Sequence, residues 1–519
     1  MIRRALAAGL PGALLLGLYA LLRPAFWRLL RLPEEAYLEP VVSLQALRQP
    51  RIALLGLALV ALPLARLRAS AWARIEGGGS LRLLVGGLAA LLAWSFAGLD
   101  ANLYTGRLYA VDRILLALLA AGVFLHPVCI GPCAMVAALL AGQLEHPLGG
   151  YSWTDKLPVF QLLLVACAFT SLAAVRRVDA RWLVALALTA HAADYLEPGR
   201  GKLAIGWLGQ ERMAFVWLGA HLNGWLPGLS EPAVLAVASW LDRLNAPLLW
   251  ATLAIEVAPL LLLAGRRYAI GALGAATLLH AGIFASSGIF FWKWMALNLG
   301  WIAFLLGPER SRAAAVFGPR RPFLWLSLPL LLFGSGLFAP VRLAWINTPL
   351  VHAYELEVVG ESGAVYPVGR GLLSPYDLTL AQNRFAYLVA EPHLAMTWGG
   401  TRDLEAAAAL RAARSPEEVL AADRRFGRPH RDEARSRRFE RFVARSFAEL
   451  NRRGAKPRFP LGAPAHVFSG AGQGAYAVQE PVALARVRFV STWFGAGSLV
   501  RLRDRVVREI PIPGRLSGP

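Results

Sequence analysis

The stretch AHAADYLEPGRGKLAIGW, residues 190–207, decides how the chain is read. Its first residues continue an apolar helix, Pro198-Gly199 predicts a break, and Lys202 stands just ahead of a second short apolar piece that ends at Trp207. Proline removes a helical hydrogen bond and clashes with the preceding turn. A helix broken at membrane depth is tolerated only where its backbone lines a cavity or packs inside protein. Ionisable residues at such depth, here His191, Asp194, Glu197 and Lys202, are functional-site candidates by default.

Composition sharpens the focus on Lys202. Of 54 Lys+Arg residues, only Lys156, Lys202, Lys293 and Lys456 are lysines. Where positive charge alone is wanted, this chain uses arginine, which stays protonated, whereas a buried lysine can turn neutral and act as a base. The plainer reading makes lysines such as Lys156 and Lys293 interfacial anchors, and Lys293, between Trp292 and Trp294 at a span end, suits it.

With 519 residues, 56% of them hydrophobic, and a mean hydropathy of +0.48, the composition is that of a polytopic membrane protein with a soluble appendage. The formal charge of +21 is spread over loops, where arginines set topology, so nucleic acid is not the expected partner. Cys129, Cys133 and Cys167 all lie in apolar sequence, which rules out a disulfide-rich ectodomain. The C-x3-C spacing of the first two is neither a redox pair nor a zinc half-site, and no metal is expected. No phosphate-binding glycine loop, HExxH or nucleophile elbow is present. MIRR and the apolar run after it read as a first span rather than a cleaved signal.

Apolar runs at 5–22, 52–65, 83–99, 113–126, 128–143, 157–175, 182–197, 246–264, 268–287, 289–307 and 322–340 predict about eleven spans. The segment 23–51 mixes Trp, Phe and Arg and is expected on the interface. The basic loops (MIRR, 66–82, 176–181, 266–267 and 309–321) then all fall on one side, cytoplasmic by the positive-inside rule. The expected location is a bacterial inner membrane, with a multi-pass domain over 1–344 and an extracytoplasmic domain over 345–519.

The same topology draws the membrane polar residues toward the outer face: Lys156, Lys202, Lys293, His280 and Glu256. Between them, 203–245 is too polar to cross but carries Trp207, Trp217, Trp225 and Trp240, which predicts re-entrant or surface helices and adds Asn223 and Asn245. Any one of these polar groups, taken singly, could be structural.

The rest reads as an α+β domain. HAYELEVVG (352–360) alternates as a strand, and GAVYPVG (363–369) with LLSPYDLTL (372–380) suggests turns around a second. Residues 403–450 are helix-like, with Ser415 as a cap and Glu418 three residues on, and 482–493 with 498–512 form a hairpin. The arginine run between Arg424 and Arg458 suits either anionic headgroups or a solvated helix face.

YLEPGRGKLAIGW, AHLNGWL, LNAPLLWATLAIE and TLLHAGIFASSGIFFWKWMALN together resemble the HTTM (horizontally transferred transmembrane) family, whose best-known member is the vitamin K-dependent gamma-glutamyl carboxylase. The resemblance is clearest over 181–307 and rests on Gly199, Lys202, Leu203 and Trp207, with His280 and the small-residue stretch up to Phe291. It implies a lysine base, Lys202, acting on reduced vitamin K or menaquinone with O2 and CO2, a glutamate-containing peptide or protein as substrate, and membrane lipid as surroundings. By the resemblance and the polar pattern together, the candidate catalytic residues are Lys202, His280, His191 and Asp194, and the candidate cofactor contacts are Trp207, Asn223, Asn245, Glu256 and Lys293. One departure is Lys156 in YSWTDKLPVF, where the carboxylase pattern has a functional histidine. The alternatives are a non-catalytic interaction protein on the same scaffold and, with less support, a transporter.

Overall fold

The computed structural model describes residues 2–66, 72, 78–98, 102–105, 110–149, 154–176, 178–307, 322–338, 344–456, 461–472 and 474–513. The first part is helical: α1 (Ile2–Leu29), α2 (Val42–Leu47), α3 (Pro50–Arg66), α4 (Gly78–Ala97), α5 (Ala110–Leu125), α6 (Ile130–Glu145) and α7 (Leu157–Val175). Then follow α8 (Ala180–Ala204), α9 (Trp207–Gln210), α10 (Met213–Leu222), α11 (Glu231–Arg243), α12 (Asn245–Val257), α13 (Arg266–Ser287), α14 (Trp292–Leu306) and α15 (Pro322–Phe333).

Among the described residues, six helical stretches are long and apolar enough to cross a membrane: Gly9–Arg28, Gly79–Ala97, Pro127–Glu145, Leu157–Val175, Asn245–Leu263 and Arg266–Ser287. The other five apolar runs fall short of that measure. Pro50–Leu64 and Phe323–Phe333 are shorter apolar helices, and α5 and α14 have 16 and 15 residues, against the ~20 that a span needs. α8 is long, but Asp194, Glu197, Arg200 and Lys202 crowd its second half. The split at Pro127 is real: a 3-10 turn over Pro127–Cys129 separates α5 from α6, and His126 Nδ1 accepts the Val128 N–H at 3.1 Å.

The expected break near 198 is corrected. α8 runs without interruption from Ala180 to Ala204, with Pro198 inside it. Pro198 removes one backbone donor, but residues 182–196 are buried against neighbouring helices, and that packing holds the axis across it. The helix ends six residues later, at Ala204, and just beyond it Gly206 adopts φ +65 while its N–H bonds the Leu203 carbonyl at 3.1 Å. A left-handed residue at this place favours glycine. The expected short helices over 203–245 are α9, α10 and α11, with Trp240 exposed, and Trp250 of α12 is exposed as well.

The C-terminal part holds β1 (Ile346–Asn347), β2 (Leu350–Gly360), β3 (Val365–Pro367), α16 (Asp377–Ala381), β4 (Gly400–Thr401), α17 (Leu404–Ala412), α18 (Pro416–Phe426), α19 (Glu433–Arg453), β5 (Val482–Gly495) and β6 (Ser498–Pro511). Its antiparallel sheet has the order β3-β2-β5-β6, and β1 pairs with β4. The expected hairpin forms, turning between Gly495 and Ser498. Ser415 caps α18 by accepting the Glu418 N–H at 3.3 Å, and Glu418 accepts the Arg414 N–H at 2.8 Å. The second strand expected with the turns over 363–380 is β3, Val365–Pro367, and the chain after it forms a 3-10 turn and α16.

Behind the sheet, His352 on β2 bonds Ser491 Oγ at 2.9 Å and Asp423 of α18 at 3.1 Å. This is a Ser–His–Asp arrangement, yet all three residues are buried, so no substrate bond reaches the Ser491 hydroxyl. Burial alone would raise Asp423, but His352, Arg503 and the Leu394 N–H hold its carboxyl well below the usual range. The set fastens α18 to both central strands.

Two histidines make this part acid-sensitive. Burial pushes His393 down to about 4, and pushes His466 down to about 3 despite Asp155 beside it. Unfolded histidine titrates near ~6.5, so the folded pKa values are depressed. Their stabilising contribution is complete above ~6.5 and is lost as pH falls through the folded values. The melting temperature is therefore expected to fall steadily from pH 6.5 toward 4, with His393→Gln shallower than wild type. A profile flat across that window would contradict the assignment.

Candidate functional site

Residues 191, 194, 195, 198 and 202 recur at helical spacing and share one face of α8. Near the middle of this face, His191 Nε2 lies 2.8 Å from Asn298 Oδ1, on α14. Asn298 Nδ2 donates to the Tyr195 hydroxyl at 2.9 Å, and that hydroxyl lies 3.0 Å from His280 Nε2, on α13. The Tyr195 O–H has two acceptors in reach, His280 Nε2 and, at 3.2 Å, Asn298 Oδ1. With the amide so oriented, His191 donates through Nε2 and keeps a lone pair on Nδ1. Among the described residues, His280 Nδ1, His191 Nδ1 and Asp194 Oδ2 are buried without a hydrogen-bond partner. Two ring nitrogens and a carboxylate oxygen therefore stand unmet, His191 and Asp194 on α8 and His280 on α13. Buried polar groups are nearly always paired, so such a cluster asks for a ligand or ordered water. Tyr195, Trp294 and Phe291 wall it with aromatic rings.

Farther along the same face, Lys202 is ion-paired to Glu256 of α12, with side-chain exposures of 12% and 9%. The ammonium also lies 5.2 Å from the Trp207 ring centroid. Gly199 lets the two helices approach: a Cβ there would stand 3.2 Å from that of Glu256. Glu256 Oε2 is buried and, among the described residues, unpartnered. From Tyr195 to Lys202 is seven residues, an axial distance of ~10 Å. Lys202 is thus not beside His280 or Asp194; its partner is Glu256.

Lys293 differs from the expected interfacial anchor. It is 4% exposed, rests 4.2 Å from the Trp292 ring centroid and is ion-paired to Asp155. Lys156 reaches the same carboxylate at 2.9 Å, and His466 Nδ1 lies 3.9 Å from it. His466 arrives from the C-terminal part on a segment that pairs with 288–290: its carbonyl accepts the Phe290 N–H at 2.7 Å, and the Phe468 N–H donates to Gly288 at 2.9 Å. Asp377 holds this segment by accepting the His466 and Val467 N–H groups at 3.1 and 3.2 Å. Phe291 joins the two clusters, its ring 4.9 Å from His280 and 5.0 Å from His466.

No protein-family model, no curated protein and no solved structure matches the chain. The site is therefore read from its own geometry.

Of the expected cofactor contacts, Trp207 stands beside Lys202, whereas Asn245 and Asn223 lie elsewhere. Trp207 donates to Glu211 at 3.1 Å, and Asn245 bonds the Met213 N–H at 2.8 Å and the Glu211 carbonyl at 3.0 Å, so both pin the short helices together. Asn223 bonds the Gly219 carbonyl at 2.7 Å and accepts from Arg370 at 3.1 Å, which docks the C-terminal part. Sequence reasoning missed Tyr195, Asn298, Asp155, Asp377 and His466. Tyr195 carried a signal, four residues after His191 and so on the same face. No group of three or more His, Cys, Asp or Glu residues suited to a metal is found among the described residues.

Proposed function

We propose that the protein is an integral membrane enzyme that acts on a reduced quinone in the manner of the gamma-glutamyl carboxylase, with Lys202 as general base. The observation that carries the reading is the pair of stations along α8 with unmet polar atoms at both: Glu256 Oε2 of α12 beside Lys202 at one, and His191 Nδ1, Asp194 Oδ2 and His280 Nδ1 of α13 at the other. The axial gap of ~10 Å between Tyr195 and Lys202 suits a ring with a hydroxyl at each end, each reaching one hydrogen-bond length beyond itself. A reduced quinone fits these donors and acceptors, which would hold it, and once bound it would supply the reducing power for activating O2 against a glutamate γ-proton.

The chain's own part is proton handling. Lys202 takes a proton when its amine is neutral, and Glu256, already bonded to that amine, is placed to receive it. The ring of Trp207 and the helix contact at Gly199 restrict water around the pair. Tyr195 and Asn298 engage the Nε2 atoms of His280 and His191, so the inner station presents the Nδ1 atoms of both rings. The cluster at Asp155 favours the interaction-protein reading for that region alone, because its buried charges satisfy one another.

We place the C-terminal part on the extracytoplasmic side of a bacterial inner membrane, with about eleven crossings, on the charge pattern of the loops. Ala421 is exposed on α18, so a cysteine there is expected to react with an impermeant thiol reagent on intact spheroplasts. Labelling only after lysis would reverse the orientation. The quinone reading is tested by extracting the lipid that purifies with the protein: a quinone near one per chain, lost in a His280→Phe variant, is expected. Its absence from wild type, or its retention in the variant, would sink the reading.

A further inference from the structure

Residues 461–472 of the C-terminal part run as a strap from α4 to the loop between α10 and α11. At one end, Trp94 Nε1 of α4 donates to the Leu461 carbonyl at 2.8 Å. At the other, the Gly470 N–H donates to the Gly224 carbonyl at 2.8 Å. Between these ties the strap lies on the link from α13 to α14, through the Phe290–His466 and Phe468–Gly288 bonds. Its pairing with that link is a single antiparallel bridge, Val467 against Ile289.

The link carries a wall of the polar site. Gly288 adopts φ +71, and a Cβ there would stand 2.7 Å from the Phe468 carbonyl oxygen, so strap and link meet backbone to backbone. Three residues on, the Phe291 ring contacts His466 of the strap and His280 of the site. His191, Asp194, Tyr195, His280 and Asn298 are all buried. A ligand therefore reaches them only when some element moves. Strap, link, Phe291 and His280 form one continuous line of contacts.

The hold of the strap on the link is slight. Phe468 packs against Phe284 and Phe290, yet it is 41% exposed. Among the described residues, His466 Nδ1 and Ser469 Oγ on the strap, and Trp292 Nε1 next to Phe291, are buried without a hydrogen-bond partner. Water reaching such groups on opening returns the desolvation cost of the closed form. Segments with few buried contacts and unmet polar groups are where local opening starts. The other side of the strap is firmer: Asp377 accepts the N–H groups of His466 and Val467, and Val467 packs with Leu378 and Ala381. The strap thus parts from the link more readily than from α16.

We propose that the strap is the gate of the polar site: when 461–472 parts from the 288–291 link, Phe291 leaves His280 and the site opens toward the C-terminal part. The gate rests on the reading of that site as a ligand site, whatever the ligand. Closed, the strap holds Phe291 as a lid over the two imidazoles; open, it frees the only path that the link blocks.

A reversible lock tests this. Ile289 and Val467 form a non-hydrogen-bonded antiparallel pair, whose Cα atoms stand ~4.5 Å apart, within reach of a disulfide. Ile289→Cys/Val467→Cys is made in the full-length chain with Cys129, Cys133 and Cys167 replaced by alanine. Modification of His280 by diethyl pyrocarbonate, resolved by peptide mass, reads opening whether or not a quinone is bound. Oxidising the double variant should slow that modification about tenfold, and reduction should restore it. Phe468→Ala weakens the grip on the link alone, should speed the modification several-fold, and serves by itself should the double variant fail to accumulate. His352, buried in the sheet, should keep its wild-type rate throughout, which separates opening from unfolding. A wild type without quinone would sink the quinone reading and leave this test intact. The gate is overturned if oxidation leaves the His280 rate unchanged, if Phe468→Ala matches wild type, or if His352 is modified in step with His280.

Discussion

Replacing Lys202 with arginine is expected to lower quinol-dependent carboxylation by roughly 10²–10⁴-fold, the usual contribution of a positioned general base. Guanidinium keeps the positive charge and can still pair with Glu256, so expression, insertion and melting temperature should stay close to wild type. What it cannot do is give up its proton. Lys456→Arg, in the C-terminal part where the lysine bonds the Gly371 carbonyl, is the control and should remain active. Glu256→Gln should also impair turnover, because the amide cannot take over the lysine's proton. If Lys202→Arg and Lys456→Arg are equally active, the base assignment fails.

The second large effect is on stability. Asp155→Ala leaves Lys156 and Lys293 at 6% and 4% exposure without the carboxylate they share. Removing one partner from a buried ion pair costs about 3–5 kcal/mol, mostly the cost of the charge left behind. The variant should melt well below wild type, and below Lys202→Arg and Glu256→Gln. His466 should become accessible to a histidine reagent as the segment around it loosens. Removing a charge as well, in Asp155→Ala/Lys293→Met, should recover much of the loss, since the deficit is electrostatic rather than steric. A single variant that melts with wild type would mean that water already solvates the two lysines.

How far the sequence revealed this molecule depends on whether the deciding interaction is local. The β5–β6 hairpin follows from alternation over 482–512, and the Ser415 cap from the Glu418 three residues on. Both were legible because each involves neighbours in the chain. Pro198 misled for the opposite reason. The local rule predicts a break, but the burial of 182–196 is set by distant helices and keeps α8 whole. The pairing of Lys202 with Glu256 spans 54 positions, and that of Lys293 with Asp155 spans 138. No periodicity encodes either. His466 is farther still from detection: it lies in irregular chain, and only the pairing of its segment with 288–290 brings it to Asp155.

The central claim is chemical, and reconstitution tests it most directly. Purified protein in liposomes is supplied with reduced menaquinone or reduced vitamin K, O2, labelled bicarbonate and a glutamate-rich peptide, and acid-stable label in the peptide is counted. The account predicts label that needs both the reduced quinone and O2 and that falls to background in Lys202→Arg. Label that appears without the quinone, or none at all from a protein shown to hold one, would contradict it.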